Sequence, residues 1–264
     1  MTIKAQDVKE LREKTGLGMM ECKKALEEAN GNLEEAIKNL RKSSALKAEK
    51  KASRTAVEGI ITSKISDKEI TFVEVNCETD FVAKDENFIN FCEETLKVAV
   101  EASSEENLLD EVSESMEKQR MSLVQKIGEN IIIRKVKKIT GKVLESYIHS
   151  NKKIAAGVSL DQGSPEIAKE VAMHIAASNP IVLSPEDLDE SYINSEREIF
   201  RSQVEKEDKP EEIKEKMIQG KLNKQLADVS LLKQPFVKDP SKSVEVFLSE
   251  SNTKISSFIR IEVG

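Results

Sequence analysis

The stretch 74-EVNCETDFVAKDEN-87 determines how we interpret the fold, because the hydrophobic period changes within it. Before it, residues 70–75 are β-branched or aromatic in most positions, which predicts a strand. After it, apolar residues recur at three- and four-residue spacing, which predicts a helix: Phe88, Phe91, Cys92, Leu96, Ala99 and Val100. Asn76, Glu78, Thr79 and Asp80 between them are typical of turns and helix caps, so we expect a strand–turn–helix unit.

Phe81 follows these polar residues directly and lies outside the periodic apolar positions. One interpretation is that its ring has no partner within the chain and is available to another molecule. The other is that the ring packs under the turn as a hydrophobic staple at the helix entry. The two interpretations differ in whether the side chain is exposed.

Composition limits the classes of protein to consider. The chain has 264 residues, enough for more than one core, and 34% of them are charged. Only 4% are aromatic, none is Trp, and the net charge is −7, which argues against a surface built to hold nucleic acid. No run approaches the ~18 apolar residues that span a membrane. Three irregularly spaced cysteines and no apolar leader predict free thiols in a reducing cytoplasm.

Residues 1–40 predict a domain of three short helices, the first ending at Gly16 and the second at Gly31. Met19 and Met20 are adjacent and cannot both face the same core. We expect one of them at the surface, either as an adaptable apolar contact or as a mobile side chain.

Residues 41–54 (RKSSALKAEKKASR) form a basic linker. Six positive residues minus one negative residue give a net charge of +5. We interpret the segment as a solvated helical linker, and a nucleic-acid contact is the alternative.

Residues 55–140 predict the first α+β subdomain of a core. Its expected strands are 57–65, 70–75 and 131–136, and its second helix is 108–127. Residues 141–264 predict the second subdomain, which repeats the strand–strand–helix order with strands at 141–148 and 154–160 and a helix at 166–177. Further strands are expected at 231–237 and 257–263, with a helix at 241–250.

Residues 186–227 interrupt the second subdomain with two charged helices on either side of Pro210. They predict an antiparallel helical hairpin that protrudes from the core. Its apolar stripe could pack internally or against a second copy, so a homodimer stays open.

The sequence contains no recognised catalytic or metal-binding motif. His174 lies on an apolar helix, 171-VAMHIAA-177, and is expected in a core or an interface. His149 follows a strand. We predict no catalytic residue, no metal ligand and no cofactor.

Several segments resemble the elongation factor Ts family. The segments 15-TGLGMMECKKAL-26 and 74-EVNCETDFVAK-84 are similar to two signatures of that family. Five further segments are similar in the same order: 127-IGENIIIRKV-136, 146-SYIHS-150, 174-HIAASNP-180, 229-VSLLKQPFVKDPSKSV-244 and 258-FIRIEV-263. The resemblance covers essentially the whole chain.

The resemblance implies a ubiquitin-associated-like N-terminal domain, a two-part α+β core and a helical hairpin. It implies a non-enzymatic guanine nucleotide exchange factor whose partner is elongation factor Tu, both GDP-bound and nucleotide-free. It also implies which residues contact that partner: Thr79, Asp80, Phe81 and Val82 near its magnesium site, and Met19, Met20 and His149 elsewhere. Longer family members continue past 258-FIRIEV-263 into a C-terminal helix, so we expect any contact by that helix to be lost or replaced.

Three alternatives stay open at this point. The chain could be an RNA-binding accessory protein that uses residues 41–54, and a steep salt dependence of RNA binding would indicate it. It could be an adaptor that acts through residues 1–40 alone. A hydrolase is the third, and it would require GTP turnover by the chain itself.

Overall fold

The computed structural model describes residues 3–104 and 106–264, and this part of the chain folds into nine α-helices and eight β-strands. The strands form small antiparallel sheets, and helices cover them. The α+β class expected from the sequence is confirmed.

The first three helices form a small bundle. They are α1 (Ala5–Thr15), α2 (Met19–Glu28) and α3 (Leu33–Lys51). Leu11, Cys22 and Leu26 fill the space between them and are fully buried. Gly16 ends α1 in the left-handed conformation, with φ of 69°, which residues with a Cβ rarely adopt.

Helix α3 does not end near residue 40, as the division into domain and linker suggested, but continues to Lys51. No Gly or Pro interrupts it, and Ser44 and Ala48 are buried on the helix, which packs against a later helix, α5 (Leu108–Ile127). Lys47 pairs with Glu21 of α2, and Nζ of Lys51 donates a hydrogen bond to the carbonyl of Gly128. The helical conformation expected for residues 41–51 is therefore confirmed, and most of its basic side chains are solvated. The segment also packs on the core through Ser44 and Ala48, which the prediction of a linker did not include.

The first half of the core has one sheet in the order β1-β2-β3, covered on one face by two helices. The elements are β1 (Glu58–Ile65), β2 (Glu69–Cys77), α4 (Glu86–Glu101), α5 (Leu108–Ile127) and β3 (Ile132–Thr140). Strand β2 is central and buried over nearly its whole length, which explains its continuous run of β-branched and aromatic residues.

The second half repeats this plan with a sheet in the order β4-β5-β8. Its elements are β4 (Val143–Ile148), β5 (Ile154–Gln162), α6 (Pro165–Ser178), α9 (Val244–Glu250) and β8 (Lys254–Glu262). The expected strand–strand–helix duplication is confirmed, and a third strand closes the sheet in each half.

The two sheets pack against each other through their inner faces. Phe72 of β2 is fully buried there, beside Gly157 of β5. A Cβ at Gly157 would lie 2.7 Å from the Phe72 ring, so only glycine permits this close approach. The core is thus four layers deep, with helices outside and two sheets inside.

Helices α7 (Glu190–Val204) and α8 (Glu211–Asp228) form the predicted hairpin. Its apolar stripe packs internally at Val204, Ile218 and Leu222, whereas Ile199 and Ile213 of the same stripe are exposed. The hairpin leaves and rejoins the core at one place, where residues 182 and 230 form a bridge between adjacent chain segments.

The strand expected at 231–237 was wrong over most of its length. A single 3-10 turn, Leu231–Lys233, precedes β6 (Pro235–Phe236), which pairs with β7 (Asp239–Ser243). The turn forms because the carbonyl of Ser230 accepts hydrogen bonds from the amides of Lys233 and Gln234. Phe236 is buried after it, and its ring stacks on Phe247 at 4.3 Å.

His174 is fully buried on α6, as expected. Its Nε2 lies 2.9 Å from Oε1 of Gln234, and the backbone amide of Val237 donates to its Nδ1 at 3.2 Å. An Nδ1 that accepts a hydrogen bond belongs to a neutral imidazole. Burial accordingly lowers the pKa of His174 below its ordinary value.

We expect this histidine to make the folded chain less stable at acid pH. Because its pKa is lower in the folded state, the unfolded chain binds the proton more tightly, and stability falls as pH drops through about 6.5 and below. Urea unfolding between about pH 7.5 and pH 5 should show a smaller decline for His174→Gln than for the unaltered chain. The exposed His149→Gln is the control and should keep the original slope. An identical slope in all three chains contradicts the assignment.

Candidate functional site at the Phe81 turn

The turn between β2 and α4 exposes one large aromatic ring. Phe81 is 81% exposed, more than any other large hydrophobic residue in the described chain. Val82 is half-buried and packs against the core, while Asp85 caps α4 by accepting a hydrogen bond from the amide of Asn87. The staple interpretation of Phe81 is therefore wrong, because the ring is exposed to solvent and is not packed under the turn.

Thr79 is the centre of the hydrogen bonds within this turn. Its carbonyl accepts a hydrogen bond from the amide of Ala83 at 3.2 Å, and its Oγ1 accepts one from the amide of Val82 at 3.4 Å. The carbonyl of Phe81 accepts from the amide of Lys84 at 3.2 Å. The backbone on both sides of Phe81 is thus fixed locally, although its ring has no packing of its own.

Glu129, in the connection between α5 and β3, holds the turn from outside. Its carboxylate accepts hydrogen bonds from the amides of Glu78 and Thr79, both at 3.0 Å, and from Oγ1 of Thr79 at 2.7 Å. In return, the carboxylate of Glu78 accepts a hydrogen bond from the amide of Asn130 at 2.6 Å. Two segments about 50 residues apart therefore bind each other through a reciprocal pair of carboxylates. No local sequence pattern indicates this role of Glu129.

Asp80 lies at the surface beside Phe81 and pairs with Lys84, whose Nζ is 2.8 Å from Oδ2 of Asp80. The hydrogen bond from Lys84 lowers the pKa of Asp80, so the carboxylate is charged at neutral pH. A negative charge therefore accompanies the exposed ring.

The turn that contains His149 reaches the same edge of the core. His149 and Lys152 form a tight turn between β4 and β5, and the carbonyl of Lys152 accepts a hydrogen bond from the amide of Ile61 in β1. The neighbouring Lys153 pairs with Glu58, which lies opposite Cys77 at the end of β2 where the Phe81 turn begins. The ring of His149 is exposed, and its Nδ1 lies 3.1 Å from the hydroxyl of Tyr147.

Met19 and Met20 are both exposed, by 57% and 74%. The surface methionine expected from the sequence is confirmed, and the second is exposed as well, since both lie in the first turn of α2. The next residue, Glu21, accepts a hydrogen bond from Gln125 near the end of α5 at 2.8 Å. The end of α5 thus connects the methionines to the Phe81 turn, because Glu129, which binds that turn, lies two residues after Ile127.

A cleft of about 1090 Å³ separates the N-terminal helices from α4 and α5. Its wall is apolar at Leu17, Leu40 and Phe91 and charged around the rim. Among residues 3–104 and 106–264, no group of three His, Cys, Asp or Glu side chains is arranged to hold a metal ion, and no helix is long and apolar enough to cross a membrane.

Comparison with known proteins gives the class, which is that of nucleotide exchange factors in translation elongation. A family model described as Elongation factor TS matches residues 78–264. Elongation factor Ts of Marinobacter nauticus is 51% identical over 99% of this chain and 91% of the relative, and that of Teredinibacter turnerae is 50% identical over 100% and 92%. Elongation factor Ts of Vibrio vulnificus is 47% identical over 100% and 92%. The chain belongs to the elongation factor Ts family.

Proposed function

We propose that this chain is a non-enzymatic exchange factor of the cytoplasm that binds GDP-bound elongation factor Tu and promotes release of GDP. It then holds the nucleotide-free partner until GTP binds. One observation carries the proposal: Phe81 is 81% exposed on a turn whose backbone is fixed at both ends. A fixed exposed ring is suited to insertion into another protein, because little conformational entropy is lost when it binds.

Exchange requires that the factor and GDP antagonise each other on the same partner. By linkage, the factor weakens GDP binding by the same ratio by which GDP weakens binding of the factor. The factor must therefore bind best to a partner whose magnesium and phosphate site is disturbed. Residues 79–82 would perform this step, with Phe81 as an apolar wedge and Asp80 as a charge near the magnesium ion.

Met19, Met20 and His149 would provide the remaining contacts. The two methionines are flexible apolar side chains in an exposed position, which suits a surface that adapts to its partner. We propose the functional division 1–40, 41–54, 55–140 and 141–264, in which residues 1–40 hold the partner while residues 79–82 act on its nucleotide site.

The proposal is tested by the release of a fluorescent GDP analogue from elongation factor Tu. The chain at substoichiometric concentration should accelerate release over the spontaneous rate, with turnover of many partner molecules per chain. A release rate that is the same with and without the chain contradicts the proposal.

Asp80→Ala is expected to reduce exchange less than loss of the Phe81 ring does. Lys84 already offsets part of the charge, and solvent screens interactions between exposed charges, so we expect a reduction of at most about fivefold. If Asp80 acts on magnesium, this difference should shrink when free Mg²⁺ is removed by a chelator. Asp67→Ala, which removes an exposed carboxylate from the β1–β2 turn, is the control and should leave exchange unchanged. A difference that persists without Mg²⁺ argues against the charge mechanism.

A further inference from the structure

We infer that Glu129 is a positioning residue for exchange, which acts through Thr79 to hold the Phe81 ring in the orientation that the partner receives. This inference rests on the proposed function. Among residues 3–104 and 106–264, the hydrogen-bond partners of the Glu129 carboxylate belong to residues 78 and 79, and none of them is a cation. Its role is therefore specific to this turn.

The direction of each hydrogen bond explains why a carboxylate is needed. Two backbone amides and one hydroxyl all donate to it, so the site requires an acceptor at both oxygens. Because the Thr79 hydroxyl gives its proton to Glu129, its lone pairs remain available to the amide of Val82. The carboxylate thereby fixes the backbone on the far side of Phe81 as well.

Packing cannot supply this orientation. The Phe81 ring is 81% exposed, so its direction follows from the backbone of the turn. The backbone itself depends on Thr79, since the amides of Val82 and Ala83 both donate to that residue. Without Glu129, the Thr79 carbonyl would keep its hydrogen bond from Sγ of Cys77, and Val82 and Ala83 would keep their contacts with the core. The Thr79 side chain and the amides of residues 78 and 79 would lose their acceptor, so the ring would sample several directions.

The loop that carries Glu129 is itself anchored to the N-terminal helix. Nδ2 of Asn130 donates to the carbonyls of Ala52 and Arg54, at 3.3 and 2.8 Å, directly after α3. Lys51 binds the carbonyl of Gly128 on the other side of Glu129. The residues on both sides of Glu129 are consequently hydrogen-bonded to the end of α3. These bonds fix the position of Glu129, and Glu129 in turn fixes the Phe81 turn.

The first test measures motion of the ring without any partner. The chain contains no Trp, so Phe81→Trp introduces a single indole whose fluorescence anisotropy reports how freely it moves. We expect lower anisotropy when Glu129→Ala is added, and an intermediate value with Glu129→Gln, which keeps one acceptor. The control is Glu93→Gln, which removes an exposed carboxylate on α4 and should leave the anisotropy unchanged. Anisotropy that is unaffected by both Glu129 substitutions overturns the inference.

The second test is a double-mutant cycle on release of the fluorescent GDP analogue. Glu129→Ala alone should slow factor-dependent release by about tenfold, and Glu129→Gln by less. In a Phe81→Ala background, Glu129→Ala should add less than about twofold, because it acts through the ring that is already missing. A full additional loss in that background means that Glu129 acts independently of Phe81 and overturns the inference.

The two tests separate this inference from the function on which it rests. If the unaltered chain does not accelerate GDP release, the proposed function fails, while the anisotropy still shows whether Glu129 orders the turn. If Glu129→Ala does not fold, Glu129→Gln and the Phe81→Trp chain that carries it still give both measurements. The inference fails, and the proposed function stands, if folded Glu129→Gln exchanges normally while the indole of its Phe81→Trp version moves freely.

Discussion

Phe81→Ala is expected to slow factor-dependent GDP release by about 10- to 100-fold, because burial of such a ring in the partner is worth ~1.5–3 kcal/mol. The chain itself should stay folded. The ring is 81% exposed, so its removal takes almost no packing from the core, and stability should change by at most ~0.5 kcal/mol. Release of a fluorescent GDP analogue from elongation factor Tu, followed in a stopped-flow instrument, measures the effect.

Val246→Ala is the matched control for this experiment. Val246 is also an exposed apolar residue, 44% accessible, but it lies on α9 at the outer face of the second sheet. It should leave release unchanged. Circular dichroism must show that both variants are folded and binding to nucleotide-free elongation factor Tu must be retained. Undiminished exchange by a folded Phe81→Ala chain would contradict the proposal that Phe81 acts as an apolar wedge.

Phe72→Ala is expected to lower the free energy of unfolding by about 3–5 kcal/mol. Phe72 is fully buried between the two sheets, and its ring fills the space left by the missing side chain of Gly157. Because Gly157 has no side chain that could move into the gap, the cavity would stay open. Urea unfolding at pH 7 measures the loss.

Phe81→Ala is the natural comparison for Phe72→Ala, because the same atoms are removed from an exposed ring instead of a buried one. The two variants should behave in opposite ways: one loses stability and the other loses exchange. A loss below about 1 kcal/mol for Phe72→Ala would mean that the interface between the sheets closes around the cavity.

The strands and helices of the core could be predicted because their periodicity is strong. The strand expected at 57–65 is Glu58–Ile65, and the helix expected at 108–127 is Leu108–Ile127. Gly128 ends that helix with φ of 92°, as its residue type indicated. Hydrophobic pattern and glycine position were sufficient for these elements, since both signals are local.

The end of α3 was harder to predict, because its buried face changes from large to small residues. Leu40 is followed at four-residue spacing by Ser44 and Ala48, which are buried against the core but carry little hydrophobic signal. The charged residues between them dominate the composition of the segment. A packed helix therefore resembled a solvated linker.

Glu129 could not be identified from the sequence for a different reason. Its three hydrogen bonds go to residues 78 and 79, about 50 positions earlier, and nothing in its own neighbourhood indicates them. Sequence spacing predicts the partners of a side chain only within a helix or a strand pair. The exposure of Phe81 was likewise undecided until the direction of the turn was known.

The attachment of the α7–α8 hairpin has an evolutionary consequence. The chain departs at Val182 and returns at Ser230 beside it, where the amide of Leu231 donates to the carbonyl of Val182 at 2.9 Å. Segments that begin and end at one surface point can be exchanged without rebuilding the rest of a protein. Selection can therefore lengthen, shorten or replace this arm independently, while the geometry of the two sheets is preserved.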